Sequence, residues 1–242
     1  MNLKEPITFT EEENELFKKK IKNNTIVIVP AKKDSKRIKN KNMLEINGEC
    51  LPLWAAEYAY DEGLRNIIIS TNNPELVKKL EHLRMLKFFD EKVDDRNMIN
   101  CMKQVVEGQK RKKKFVILLQ PTSPIRRPGL LKRMLIDAYN QEDWVCSMSC
   151  HDFKMIGHDG EKFNYAYRDQ DKSTRWFSHF DGNILIVDKK FMLSEERLFD
   201  DSIACYPQPF PYYLQIDEQP EFDVIKEILW KGIGLGKEYI RA

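Results

Sequence analysis

A dense group of cations lies in one short loop near the start of the chain. Residues 30–42 read Pro-Ala-Lys-Lys-Asp-Ser-Lys-Arg-Ile-Lys-Asn-Lys-Asn, and six of these thirteen are Lys or Arg. The loop follows Thr25–Pro30, an unbroken apolar run typical of a buried parallel strand. Cations and small residues at the carboxyl end of such a strand suit a polyphosphate. Because charge runs are often solvated surface, composition alone leaves both alternatives open.

The elements that must position this loop alternate between buried strands and amphipathic helices. After the first strand, strands are predicted at 66–70, 86–89, 115–119, 144–149, 183–187 and 212–216. Helices are predicted at 51–60, 74–82, 97–108, 128–139 and 221–231. This alternation predicts an α/β fold with a doubly wound, mostly parallel sheet. Ligands bind such sheets at the carboxyl ends of strands. We therefore expect the chemistry in the loops after Pro30, Ser70 and Leu119.

The composition excludes several classes of function. The 242 residues carry 40 Lys and Arg against 38 Asp and Glu, so no bulk attraction for nucleic acid is expected. The longest apolar run, Phe115–Leu119, is too short to span a membrane, and the charged stretch 10–24 argues against a signal peptide. Five cysteines without Cys-x-x-Cys spacing indicate reduced thiols, so we expect a cytoplasmic protein.

Five short motifs follow one another in order over residues 25–230. They are the loop 30–42, Ile68-Ile-Ser-Thr71, Leu119-Gln-Pro-Thr-Ser-Pro-Ile-Arg126, Phe180-Asp-Gly-Asn-Ile184, and Ile216-Asp217 before Glu221-Phe222. These motifs resemble P-A-R-G-G-S-K-R-I-x-x-K-N, V-S-T-D, L-Q-P-T-S-P-L-R, Y-x-x-N-G-A-I-Y and D-I-D with E-D-F. Those are signatures of the acylneuraminate and ketodeoxyoctonate cytidylyltransferases. The chain therefore resembles a divergent member of that family, similar to CMP-sialic acid synthetases.

The resemblance implies a reaction and a set of site residues. A hydroxyl of an acidic sugar, a nonulosonate or octulosonate, attacks the α-phosphate of CTP, pyrophosphate leaves and a CMP-sugar forms. Lys41 is implied as a catalytic cation near the phosphates, and Asp217 as a catalytic residue and the ligand of Mg²⁺. The implied nucleotide-binding residues are Ala31, Lys32, Ser35, Lys36, Asn42 and Ser70. The implied acceptor-binding residues are Gln120, Thr122, Ser123, Arg126, Arg175 and Asp181.

Several positions depart from the family pattern and leave the substrate open. Lys32-Lys33-Asp34 replaces Arg-Gly-Gly, which removes two residues that let backbone amides approach phosphates closely. Asn72, Asp181 and Gln215 stand where the pattern has Asp, Asn and Asp, and Gln215 removes a potential metal ligand. Three alternatives follow. The protein acts on an acidic sugar, or on an atypical acceptor such as a small phosphorylated compound, or it binds nucleotide without catalysis.

The chain divides into an extension and one enzyme domain. Residues 1–23 are predicted to form a helical extension, because Thr10 and Glu13 make a capping box. Residues 24–242 are predicted to form the nucleotidyltransferase domain. A polar and aromatic stretch at about 150–176 is expected to leave the main sheet. The resemblance implies that this excursion carries a dimer interface, so a homodimer is expected.

Overall fold

A seven-stranded sheet forms the centre of the protein. The computed structural model describes residues 6–90, 97–109, 113–141, 144–153, 157–158, 163–164, 177–199 and 203–232. The strands are β1 (Thr25–Pro30), β2 (Glu45–Ile46), β3 (Glu49–Cys50), β4 (Ile67–Thr71), β5 (Leu86–Asp90), β6 (Phe115–Leu119), β7 (Cys146–Phe153), β8 (Gly157–His158), β9 (Phe163–Asn164), β10 (Phe177–Asp188) and β11 (Ile203–Pro207). The α-helices are α1 (Glu11–Leu16), α2 (Leu51–Asp61), α3 (Pro74–Leu80), α4 (Met98–Glu107), α5 (Leu130–Asn140), α6 (Lys189–Glu195) and α7 (Gln219–Lys231).

The strand order of the sheet is β11-β7-β10-β6-β1-β4-β5. Strands β6, β1, β4 and β5 run parallel to one another, and β11 runs parallel to β7. Strand β10 is antiparallel to both of its neighbours, β6 and β7. The predicted doubly wound, mostly parallel sheet is therefore confirmed. Two short hairpins, β2 with β3 and β8 with β9, pair outside this sheet.

Strand β1 shows why the sheet is covered on both faces. Val27 and Val29 pack with residues of α2 and α5, whereas Ile26 and Ile28 pack with residues of α4 on the opposite face. All four side chains are fully buried. A strand buried on both faces reads as an unbroken apolar run, which is the pattern that predicted it.

The N-terminal segment is helical and packs on α5. Thr10 and Glu13 form a capping box, with Thr10 N–H donating to Glu13 Oε2 at 2.8 Å. The helix continues through a π-helical turn, Phe17–Ile21, in which both end residues are buried in the main core. Arg133 of α5 donates to both carboxylate oxygens of Glu13, at 2.5 and 3.1 Å. This hydrogen bonding lowers the pKa of Glu13 to about 2.

The predicted strand at 212–216 is wrong. Residues 210–213 form a turn, and the following residues are extended without a ladder partner among the described strands. Side chains take the place of such a partner, because Asn183 Nδ2 donates to Tyr212 O at 2.7 Å and Lys41 Nζ donates to Ile216 O at 2.7 Å. The segment is therefore held by distant polar side chains, which a local pattern does not reveal.

The predicted start of the helix at Pro128 is also wrong. Helix α5 begins at Leu130, and its N-cap is Gly129 with φ of 79°. The acceptor for the free backbone N–H groups comes from elsewhere, because Glu62 accepts from Gly129 N at 2.5 Å and Lys132 N at 3.1 Å. The sequence also gave no prediction of β11 or α6.

Parts of two predictions lie outside the described residues. The excursion predicted at about 150–176 is described only in the end of β7 and the short pair β8 and β9. Arg175 lies outside the described residues altogether. Among the helices that the structure describes, none has the length and apolar character needed to cross a membrane.

Candidate functional site

A cavity of about 490 Å³ opens where β1 and β6 end. Its wall includes both the basic loop and the loop after β6, as the strand order predicts for a parallel sheet. Seven of the residues predicted as site residues line this cavity: Lys32, Ser35, Lys36, Lys41, Asn42, Gln120 and Thr122. Arg37 and Asp34 line it too, so the charged residues of the cavity wall are four cations and one carboxylate.

Two residues predicted to bind nucleotide, Ala31 and Ser70, make contacts that join the loop to β4. Ala31 is fully buried, and its N–H donates to Ser70 O at 2.7 Å. Thr71 Oγ1 donates to Ala31 O at 2.6 Å. Ser70 is also buried, and its hydroxyl lies 3.4 Å from Cys101 Sγ. Neither Ala31 nor Ser70 lines the cavity, so both fix the loop to β4 from behind.

Side-chain amides tie the next part of the loop. Lys33 N–H donates to Asn72 Oδ1 at 2.8 Å, and Asn42 Nδ2 donates to Lys32 O at 2.8 Å. Asn72 is one of the positions that depart from the family pattern. In this protein its amide oxygen accepts a hydrogen bond from the loop that replaces Arg-Gly-Gly.

Lys41 is the most constrained cation of the site. It begins a short 3₁₀ turn after Asn40, whose φ of 54° is left-handed. Its Nζ donates to Ile216 O at 2.7 Å and lies 3.5 Å from Asp217 Oδ1. The other oxygen of that carboxylate lies 3.1 Å from Arg37 NH1. Burial lowers the pKa of Lys41, and the nearby Asp217 carboxylate opposes this shift.

Asp217 does not line the first cavity. It lines a second cavity of about 440 Å³ together with Asp181, Gln215 and Glu221. The ion pairs of Asp217 therefore form part of the wall between the two cavities.

The residues present fit a Mg²⁺ ion only in part. No group of three or more His, Cys, Asp or Glu side chains in the described part of the chain could hold a metal ion. Asp217 supplies one carboxylate, and both of its oxygens are paired with cations. Mg²⁺ is commonly held by one or two carboxylates together with substrate phosphates. A site at Asp217 would therefore depend on phosphate oxygens brought by a ligand.

The loop after β6 contains residues that line the first cavity and residues that are fully buried. Gln120 and Thr122 line the first cavity, whereas Ser123 and Arg126 are fully buried. Arg126 NH2 donates to Gln120 O at 2.6 Å, and Ser123 N–H donates to the same carbonyl at 3.2 Å. Thr122 O accepts from Ile216 N at 2.7 Å, which joins this loop to the segment before α7. Ser123 and Arg126 thus shape the loop and do not line this cavity.

Asp181 is a buried carboxyl on a bulge between β10 and β7. Its Oδ1 accepts from Ser149 Oγ at 2.6 Å and from Asn183 N at 2.9 Å. Its Oδ2 is buried and has no hydrogen-bond partner among the described residues. Burial raises the pKa of Asp181, against the positive charge of Arg126. Asp181 is among the residues that line the second cavity, and acceptor binding there remains a prediction.

Gln215 packs closely against the same bulge. Gly182 has φ of +70°, and a Cβ placed there would lie 2.2 Å from Gln215 Nε2. Glycine is required by both this close approach and the left-handed backbone. Where the family pattern has an aspartate, this chain therefore places an amide over a glycine.

The start of α4 forms part of the wall of the first cavity, which the sequence did not predict. Asn97 caps this helix by accepting from Ile99 N at 3.0 Å. Asn97, Met98 and Cys101 all line the first cavity. The helix itself was predicted, but no spacing in the sequence indicates that its first turn faces the basic loop.

Comparison with known proteins identifies the family. A profile of the cytidylyltransferase family, described as "Cytidylyltransferase", matches residues 26–180. The chain belongs to the cytidylyltransferase family. This match confirms the resemblance, with this chain as a divergent member, and members of the family are nucleotidyltransferases.

Curated relatives share a modest identity with this cytidylyltransferase-family protein. The N-acylneuraminate cytidylyltransferase of Streptococcus agalactiae serotype V is 24% identical over 216 residues, which cover 81% of this chain and 51% of the relative. The protein of the same name from serotype III gives the same identity and coverage. The chain spans about half the length of the curated relatives it matches.

Solved structures share the fold. A CMP:2-keto-3-deoxy-manno-octonic acid synthetase complexed with CTP matches with a TM-score of 0.68 and 14% identity, covering 87% of this chain and 100% of the other. A 4-diphosphocytidyl-2C-methyl-D-erythritol synthase from Anaerococcus prevotii matches with a TM-score of 0.60 and 12% identity, covering 85% and 98%. These likenesses show that the cytidylyltransferase-family sheet is common to all three proteins.

Proposed function

We propose that the protein transfers a cytidylyl group from CTP to a hydroxyl of an acidic sugar, a nonulosonate or octulosonate. One observation carries the proposal: Lys32, Lys36, Arg37 and Lys41 converge on one cavity at the carboxyl ends of β1 and β6. A cluster of cations on a shaped wall neutralises a triphosphate and favours the charge that develops on leaving pyrophosphate. The N-acylneuraminate specificity in the names of the curated relatives supports an acidic sugar.

In this proposal the bond changes are simple. The acceptor hydroxyl oxygen bonds to the α-phosphorus, the bond from that phosphorus to the bridging oxygen breaks, and the hydroxyl proton is lost. Lys41 is placed for the leaving charge, because its Nζ is fixed by Ile216 O while it lines the cavity. Gln120 faces the same space, with its backbone held by Arg126. Positioning and charge neutralisation are the main demands of such transfers.

A second candidate differs in the acceptor. The residues that line the second cavity include Asp181, Asp217 and Glu221, and Gln215 replaces an aspartate of the family pattern. The charge of Asp217 is neutralised by Arg37 and Lys41. Asp181, by contrast, stands where the family pattern has an asparagine. Because of this difference, an atypical acceptor, such as a small phosphorylated compound, is the second candidate.

We also propose a bound metal ion and a dimeric state. We include Mg²⁺, held by triphosphate oxygens together with Asp217, where it would neutralise phosphate charge. We also include a homodimer in the cytoplasm. Light scattering at micromolar protein concentration tests the dimer, and a monomer there would contradict it.

Pyrophosphate release from CTP with Mg²⁺ tests the function. We would assay sialic, legionaminic, pseudaminic and ketodeoxyoctonic acids as acceptors, with UTP in place of CTP as the nucleotide control. Release with one sugar is the expected result. CTP binding without release on any sugar would favour the atypical acceptor. Absence of both binding and release would favour a homologue without catalysis.

A pair of lysine variants makes the test specific to the site. Lys41→Met removes a buried cation of the cavity and should lower kcat by about 100-fold or more, the usual cost of losing one such group. Lys39→Met makes the same change at an exposed position of the same loop that does not line the cavity. Equal activities of the two variants would contradict the proposed role of Lys41.

A further inference from the structure

One carboxylate holds two cations at the boundary between the two cavities. Arg37 and Lys41 line the first cavity, whereas Asp217 lines the second. Asp217 Oδ2 lies 3.1 Å from Arg37 NH1, and Oδ1 lies 3.5 Å from Lys41 Nζ. The side chains of Arg37, Asp217 and Lys41 are 60%, 37% and 8% exposed. The pairing is thus open to solvent on the Arg37 side and closed on the Lys41 side.

The carboxylate makes the contacts that a phosphate oxygen would make. Arginine and lysine bind carboxylates and phosphates through the same N–H groups, so an anion entering the first cavity must compete with Asp217. Lys41 keeps its place during such an exchange, because its Nζ also donates to Ile216 O at 2.7 Å. Asp217 keeps its backbone in place, because its N–H donates to Glu221 Oε2 at 2.5 Å.

We propose that Asp217 is a positioning residue that holds Arg37 and Lys41 in place of a polyphosphate and is displaced by it. The inference rests on the proposed function, because it assigns the first cavity to the phosphates of the nucleotide. Polyphosphate binding then separates the Asp217 carboxylate from its two cations. Because Asp217 lines the second cavity, nucleotide binding changes the charge at the wall of that cavity.

A positioning role and a metal-binding role predict different effects of Asp217→Asn on polyphosphate binding in the absence of metal. If Asp217 competes with phosphates, Asp217→Asn binds a polyphosphate more tightly when no metal is present. If Asp217 only binds Mg²⁺, the same change leaves metal-free binding unaltered and weakens binding only when Mg²⁺ is added. Calorimetric titration with inorganic tripolyphosphate and with CTP, both in EDTA, separates the two roles.

We expect Asp217→Asn to tighten tripolyphosphate binding in EDTA by about fivefold, the size of a partly exposed ion pair. Asp223→Asn is the matched control, because Asp223 accepts from Gln219 on the surface of α7 and lines neither cavity. Thermal unfolding of each variant confirms that it is folded. The Asp223→Asn control is expected to bind as the wild type does.

Two further variants separate displacement from a general effect of charge. Asp34 lines the first cavity and makes no ion pair with any described residue, so Asp34→Asn reports the general effect. In protein that already carries Arg37→Gln, Asp217→Asn should tighten tripolyphosphate binding by clearly less than fivefold. One of the two cations that pair with Asp217 is already absent there. An equal gain from Asp34→Asn, together with an undiminished gain in the Arg37→Gln background, would overturn the proposal.

The remaining outcomes are also distinct. Wild-type protein that binds tripolyphosphate, with Asp217→Asn binding equally or more weakly in EDTA, would overturn this inference and leave the proposed function standing. Wild-type protein that binds neither tripolyphosphate nor CTP would overturn the proposed function and this inference together.

Discussion

Replacement of the buried Arg126 by methionine should destabilise the protein strongly. Arg126 is fully buried and donates from NH2 to Gln120 O at 2.6 Å, while its charge lowers the pKa of the buried Asp181. Arg126→Met removes both effects and leaves Asp181 without this compensating charge. Loss of such a charge-assisted hydrogen bond from a fully buried group costs about 1–3 kcal/mol of the free energy of unfolding.

The pH dependence of the loss identifies its cause. Burial already raises the pKa of Asp181, and loss of the Arg126 charge would raise it further. A carboxyl whose pKa is raised in the folded state costs stability as pH rises, because the unfolded chain releases its proton earlier. The destabilisation by Arg126→Met should therefore be larger at pH 8 than at pH 5, and Asp181→Asn should remove part of it.

Urea unfolding of the four proteins of this cycle, at both pH values, measures the coupling. Arg65→Met is the matched control, because Arg65 is exposed and donates to Tyr60 O at 2.7 Å. We expect that control to lose less than about 1 kcal/mol. A loss at Arg126 no larger than at Arg65, or one independent of pH and of Asp181, would refute the reasoning.

Two more variants test other buried contacts. Burial raises the pKa of Glu62 to about 7, so its stability contribution should fall as pH rises from about 4.5 to 7. Glu62→Gln should remove this fall, gaining about 3 kcal/mol relative to wild type at pH 7.5 compared with pH 4.5 in urea unfolding; parallel pH profiles would contradict it. Gly182→Ala should cost about 1–2 kcal/mol by thermal unfolding, because of its positive φ. Adding Gln215→Ala to Gly182→Ala should relieve the close contact between the two side chains, but not the cost of the positive φ. Full recovery of thermal stability in the double variant would contradict the φ argument.

Unbroken apolar runs predicted the strands whose two faces are both buried. These are β1, β4 and β6, which are all interior strands of the sheet. The partly exposed edge strand β5 was also predicted, as a short strand. The direction of β10 was not predictable, because an apolar run carries no information on whether its neighbours are parallel. β11 was missed because its residues are mostly part-exposed and their pattern is irregular.

The sequence predicted which loops form the candidate site, but it did not predict which of their side chains are buried or paired with one another. The basic loop and the motif after β6 do meet at one cavity, as the carboxyl ends of adjacent parallel strands must. The burial of Arg126 and the pairing of Asp217 with Arg37 depend on long-range packing. The family resemblance assigns both residues to a ligand, whereas the structure shows that both also make contacts within the protein.

The packing of the N-terminal segment on α5 has a consequence for synthesis on the ribosome. Glu13 pairs with Arg133, which lies 120 residues later in the chain. At about 5–20 residues per second, roughly 6–24 s pass between the emergence of the two. During that interval Phe17 and Ile21, which are buried in the finished protein, have no α5 to cover them. The nascent chain therefore exposes the apolar side of this helical segment to solvent and to chaperones well before α5 exists.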